Sequence, residues 1–117
     1  MPRKSSGSVR ISYPRFTRRE LIETLKQKFP DLEARLPLRL VVLFGSYGRG
    51  NYTAASDVDL LVVYRGPRNE DAFALVKKTL DVPRLEPHVY TEEEYRALAG
   101  TIARMVRDGT VLLSRLQ

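Results

Sequence analysis

Apolar positions recur along the chain at two spacings, one helical and one extended. Leu21, Ile22, Leu25 and Phe29 stand three or four residues apart, the period of one helical face. Thr17-Arg18-Arg19-Glu20 precedes them as a capping box, in which Thr17 and Glu20 each satisfy an unpaired backbone donor. Pro30 is expected to end that helix. After a short segment at 32–36, the stretch 38–44 is nearly unbroken apolar and rich in β-branched residues, the pattern of a buried strand. A second such run covers 58–64 and closes on the Gly66-Pro67 turn signal. Residues 69–80 suit a helix with Phe73, Val76 and Leu80 on one side. The alternation over 84–90 predicts a third strand, with Pro87 arguing for an edge position or an irregularity. A second capping box, Thr91-Glu92-Glu93-Glu94, opens a helix expected to run through Tyr95, Leu98, Ile102 and Val106 to a stop at Gly109. Val111-Leu112-Leu113 reads as a short final strand or docking segment. The expected fold class is α/β (α+β), a small mixed sheet with helices packed against it.

Composition narrows the chemistry. The 117 residues form one domain with a single core. The absence of cysteine excludes disulfides, thiolate metal sites and cysteine nucleophiles, and the single histidine, His88, excludes a multi-histidine metal centre. No apolar run reaches the roughly 20 residues that span a bilayer, and the N-terminus carries no signal-peptide core, so a cytoplasmic domain without a membrane partner is expected. The net charge of +6 is concentrated at one end. Residues 1–19 hold Arg3, Lys4, Arg10, Arg15, Arg18 and Arg19 with no acid, and the rest of the chain is balanced. Residues 1–16, which include Ser5-Ser6-Gly7-Ser8 and Pro14, are expected to form a flexible basic arm that could touch nucleic acid or an acidic partner. Residues 17–117 form the folded domain.

Candidate chemistry lies between the first two strands. Asp57 and Asp59 stand two apart at a strand start and so share a face. The apolar run that follows predicts partial burial, where two like charges repel unless a cation lies between them. Oxygen ligands without His or Cys favour Mg²⁺ or Mn²⁺ over zinc, and Mg²⁺ held this way completes its shell with water and substrate phosphate. At the other end of the segment, Gly45-Ser46 follows a buried strand and enters a glycine-containing turn. Glycine admits close approach of a phosphate to backbone amides, and the serine hydroxyl adds a donor. Arg49 could neutralise phosphate charge. Glu86, on the neighbouring strand with His88 and Tyr90 on its face, is the candidate third carboxylate of a two-metal site or a general base; the plainer reading is an edge-strand charge. Tyr47 and Tyr52 read as loop packing, Ser56 as a turn residue and His88 as a surface or strand histidine. The segment is neither a Walker A loop nor a Rossmann fingerprint.

As one unit, Gly45-Ser46, ten residues and Asp57-x-Asp59 resembles the signature of the nucleotidyltransferase superfamily that includes DNA polymerase beta. The flanks Tyr47-Gly48-Arg49-Gly50 and Ser56 to Val62 resemble the minimal nucleotidyltransferase domains, and the likeness covers residues 17–117. It implies the polymerase beta-like fold, with Gly45 and Ser46 on the triphosphate and Asp57 and Asp59 on the metals. Glu86 falls where the family carries its third acid, usually Asp, and Pro87 follows it. The implied reaction moves AMP from ATP to a hydroxyl with two Mg²⁺ ions and releases pyrophosphate. Minimal members are frequently antitoxins paired with a small helical protein of the HEPN type, and some adenylylate a tyrosine of that toxin. The resemblance therefore implies a protein acceptor. The alternatives are a catalytically silent antitoxin that acts by complex formation, and a nucleic-acid-directed transferase using the basic arm.

Overall fold

The computed structural model describes residues 17–53 and 56–116 of the chain. The basic arm lies outside the described residues. Thr17 caps helix α1 (Arg18–Glu33) as a complete capping box: its hydroxyl accepts from the Glu20 amide at 3.1 Å, and the Glu20 carboxylate accepts from the Thr17 amide at 3.0 Å. Leu21, Leu25, Phe29 and Leu32 form the buried face. Pro30 does not end the helix. Proline removes one intrahelical donor, yet the next turn closes through the Pro30 carbonyl, which accepts from Ala34 at 3.1 Å, and burial of Leu32 holds that turn in place.

Four strands follow: β1 (Leu38–Phe44), β2 (Val58–Tyr64), β3 (Leu85–Thr91) and β4 (Thr110–Ser114). Their spatial order is β3-β2-β1-β4. β1 lies antiparallel to β2 and β4, and β2 lies parallel to β3. The sheet is thus mixed, and Pro87 sits on an edge strand as expected. Helices α2 (Gly45–Arg49), α3 (Ala72–Leu80), α4 (Glu92–Ala97) and α5 (Ala99–Met105) connect the strands.

Both faces of the sheet are covered, which explains the unbroken apolar runs of β1 and β2. On one face α1 and α3 bury Val41, Leu43, Leu60 and Val62 together with Leu25, Phe29, Val76 and Leu80. On the other, Leu40, Val42, Phe44, Leu61 and Val63 pack with Ile102 of α5. Lys28 ties the two helices of the first face together by donating to the Leu80 carbonyl at 2.8 Å.

Three expectations about the helices change. The buried stripe of α3 is Ala72, Val76 and Leu80, whereas Phe73 is 51% exposed with the Lys77 ammonium 5.9 Å above its ring. Four-residue spacing places Ala72 in line with Val76, so Phe73 faces outward. The single helix expected over 91–109 is two, broken at Leu98 (φ −109°, ψ 18°), although hydrogen bonds from Leu98 to Glu94 and from Ile102 to Leu98 continue across the break. Gly100 beside it carries the low helix propensity that makes such a bend cheap. The turn after α5 takes its left-handed residue at Asp108 (φ 64°), not at Gly109. Glu92, expected to favour the α4 N-terminus by charge alone, is buried between Arg39 at 3.2 Å and Arg96 at 2.6 Å.

Candidate active site

The candidate residues gather where β1 ends and β2 begins. Because these strands are antiparallel, Phe44 pairs with Asp59, and the residue after Phe44 meets the Asp59 side chain. That residue is Gly45, with φ +72°, in the left-handed region that disfavours side chains. A β-carbon there would stand 2.2 Å from Asp59 Oδ2. Gly45 is therefore required twice, by its backbone angle and by the carboxylate lying against it. The segment expected as a turn is a one-turn helix, α2, carrying half-buried Ser46 in its first turn and exposed Arg49 in its last. Gly48 sits on the Leu43 carbonyl so closely that a β-carbon would come within 2.6 Å of that oxygen.

Parallel pairing of β2 with β3 sets the acids beside one another. Asp59 is in register with Glu86, and Leu61 with His88, so Asp59, Glu86 and His88 share one face and Asp57 precedes Asp59 on it. Asp57 and Glu86 are exposed, and Asp59 is half-buried. Burial raises the Asp59 pKa above its ordinary value. Asp57 and Glu86 push it further up, and His88, whose Nε2 lies 3.8 Å from Asp59 Oδ1, opposes them. Glu86 is at once a neighbour of Asp59 and an exposed charge on an edge strand.

Two residues outside the motif matter here: His88, read from the sequence as a surface or strand histidine, and Arg84, which the sequence did not single out. His88 packs its ring against Phe44 at 5.1 Å and faces Asp59. Arg84 reaches Asp57 Oδ1 with Nη2 at 3.0 Å. A third, Arg18, which falls in the acid-free basic stretch 1–19 and in the first capping box, is part of the frame. Its amide donates to the Tyr52 hydroxyl at 2.9 Å, its Nε to the Tyr47 carbonyl at 3.0 Å, and its Nη2 to Thr110 Oγ1. Tyr47 and Tyr52 stack at 4.3 Å, as loop packing, and Ser56 closes a turn by accepting from the Thr53 amide at 2.8 Å.

The carboxylates of Asp57, Asp59 and Glu86 offer oxygen donors, the ligand type that suits a hard cation. Among the described residues no three His, Asp or Glu side chains converge into a group that could hold an ion unaided. Two carboxylates suffice for Mg²⁺, which draws its remaining ligands from water and phosphate. The raised pKa of Asp59 marks a place where added positive charge is favoured.

The sequence profile of the nucleotidyltransferase domain family matches residues 18–112. The chain belongs to this family. Two Methanocaldococcus jannaschii relatives align with part of the chain. "Putative protein adenylyltransferase MJ0604" is 42% identical over 45 residues, 38% of this chain and 40% of that protein. "Putative protein adenylyltransferase MJ0141" is 44% identical over 48 residues, 39% of this chain and 48% of that protein. The matched stretch thus spans less than half the length of these relatives. Among solved structures, a "putative nucleotidyltransferase from Sulfolobus solfataricus" superposes with a TM-score of 0.60 at 23% identity, covering 85% of each chain. A mutant of the toxin-antitoxin MntA-HpeT superposes with a TM-score of 0.52 at 20% identity, covering 85% of this chain and 74% of that one. At these identities the two superpositions establish that the nucleotidyltransferase domain here has their fold.

Proposed function

We propose that this nucleotidyltransferase domain moves AMP from ATP to a hydroxyl of a partner protein and serves as the antitoxin of a small helical toxin of the HEPN type. The observation that carries the reading is the contact of Gly45 with Asp59 opposite Glu86, which joins both halves of the motif at one end of the sheet. Relatives named as protein adenylyltransferases and a fold neighbour from a toxin-antitoxin pair support the choice of a protein acceptor.

In this reading Asp57, Asp59 and Glu86 would hold two Mg²⁺ ions, which would neutralise charge on the triphosphate and on the carboxylates. Ser46 donates to a phosphate oxygen, with Gly45 leaving the backbone approachable and Arg49 adding positive charge at the rim. Glu86 accepts the proton of the attacking hydroxyl. The hydroxyl oxygen bonds to the α-phosphorus while the bond from that phosphorus to the bridging oxygen breaks, and pyrophosphate leaves with its electron pair. Positioning and charge neutralisation supply most of the rate.

Label transfer tests this directly. Full-length protein, Mg²⁺ and ATP labelled at the α-phosphate, added to lysate of the source cells, should give a labelled protein band that Asp57→Asn abolishes. Absence of a band with Mg²⁺–ATP binding intact would instead establish a module that acts by complex formation. A labelled nucleic acid would identify a different acceptor.

A further inference from the structure

Arg84 stands outside the motif, yet its backbone and side chain are both committed to the start of β2. Its φ of 62° lies in the left-handed region, sparsely populated by non-glycine residues. Its carbonyl accepts from the Val58 amide at 2.9 Å, its Nε donates to the Ser56 carbonyl at 3.3 Å, and its Nη2 meets Asp57 Oδ1 at 3.0 Å. The ladder of β2 and β3 begins at Val58 and Leu85, so Asp57 and Arg84 are the residues that immediately precede the paired strands. Arg84 therefore gives the three acids of the site a fixed positive neighbour, aimed at the first of them. The side chains of the pair are 53% and 52% exposed, so water and ions reach it and it can be exchanged.

We propose that Arg84 is a resident counter-cation for Asp57, holding that carboxylate in line when no divalent ion is bound and competing with the ion for it. The inference rests on the reading of Asp57 as a metal ligand. It makes Arg84 a positioning residue with a measurable cost: metal affinity in the absence of nucleotide is lower than the carboxylates alone would give.

The test is titration of the full chain with Mn²⁺, followed by the electron paramagnetic resonance signal of the free ion, without nucleotide. Arg84→Gln removes the charge and ends the side chain short of the Asp57 carboxylate, and should bind Mn²⁺ up to about fivefold more tightly than wild type, the range of an exposed ion pair. Arg84→Gly suits the φ of this position and should show the same tightening, which guards against a folding defect in the Gln variant. Equal or weaker binding by both variants overturns the inference. Asp57→Asn should weaken binding. If it binds as well as wild type, the metal-ligand reading of Asp57 is what has failed.

Discussion

Gly45 is where backbone conformation and site chemistry meet, and its replacement by alanine separates the two. Left-handed backbone costs an L-residue about 1–2 kcal/mol. The added β-carbon, 2.2 Å from Asp59 Oδ2 and 3.1 Å from its Cγ, must also displace the Asp59 carboxylate that lies against Gly45. Overpacking of that kind costs about 1–3 kcal/mol. Gly45→Ala should therefore lose about 2–5 kcal/mol, or roughly 8–20 °C in Tm for a domain of this size. Asp59→Ala removes the atoms at 2.2 and 3.1 Å and leaves the backbone angle as it was. In that background the same glycine substitution should cost only about 1–2 kcal/mol. The cycle is read from urea midpoints in the presence of a chelator, with the m-value checked for constancy. An equal loss in both backgrounds refutes the contact argument and leaves Gly45 as a backbone requirement only.

Asp59 itself predicts a pH dependence. Its folded pKa lies above the unfolded one because of burial, so the folded state binds that proton more tightly. The contribution to stability is present at low pH and is lost as pH rises through the folded pKa. Asp59→Asn should flatten this part of the stability profile and raise the Tm at neutral pH in chelator; a lower neutral-pH Tm would contradict the account. Pro30→Ala restores a helical donor at an exposed position inside α1 and should stabilise by about 1–2 kcal/mol after the loss of proline's unfolded-state benefit, measured by urea denaturation.

Periodicity located the four strands and the first helix, because burial of an apolar face dominates each. It failed where a packing or pairing fact overrides a local one. Pro30 lies within a helix because Leu32 needs the next turn, and Phe73 faces solvent because Ala72 has taken the inward position. The spacing of Gly45, Ser46, Asp57 and Asp59 was legible because the whole unit is contiguous. The meeting of His88 with Asp59 was not, since it depends on the parallel register of β2 and β3, which no stretch of either strand declares, and Arg84 was not, since it lies just outside both strands. Residues two places before Glu86 and two places after it are the ones to inspect once that register is known.

Arg18 has a practical consequence for handling the protein. It fastens the start of α1 to Tyr47, Tyr52 and Thr110, so chain entering at Thr17 arrives at the end of the sheet that bears Gly45 and Asp59. β4 runs the other way, from Thr110 beside Leu43 to Ser114 beside Leu40, and Arg115 beyond it donates to the Arg39 carbonyl. A fluorophore attached at residue 116 would stand at the end of the sheet away from the carboxylates, whereas one attached at Thr17 would stand at the end that bears them. Fusions for acceptor screening belong at the C-terminal side.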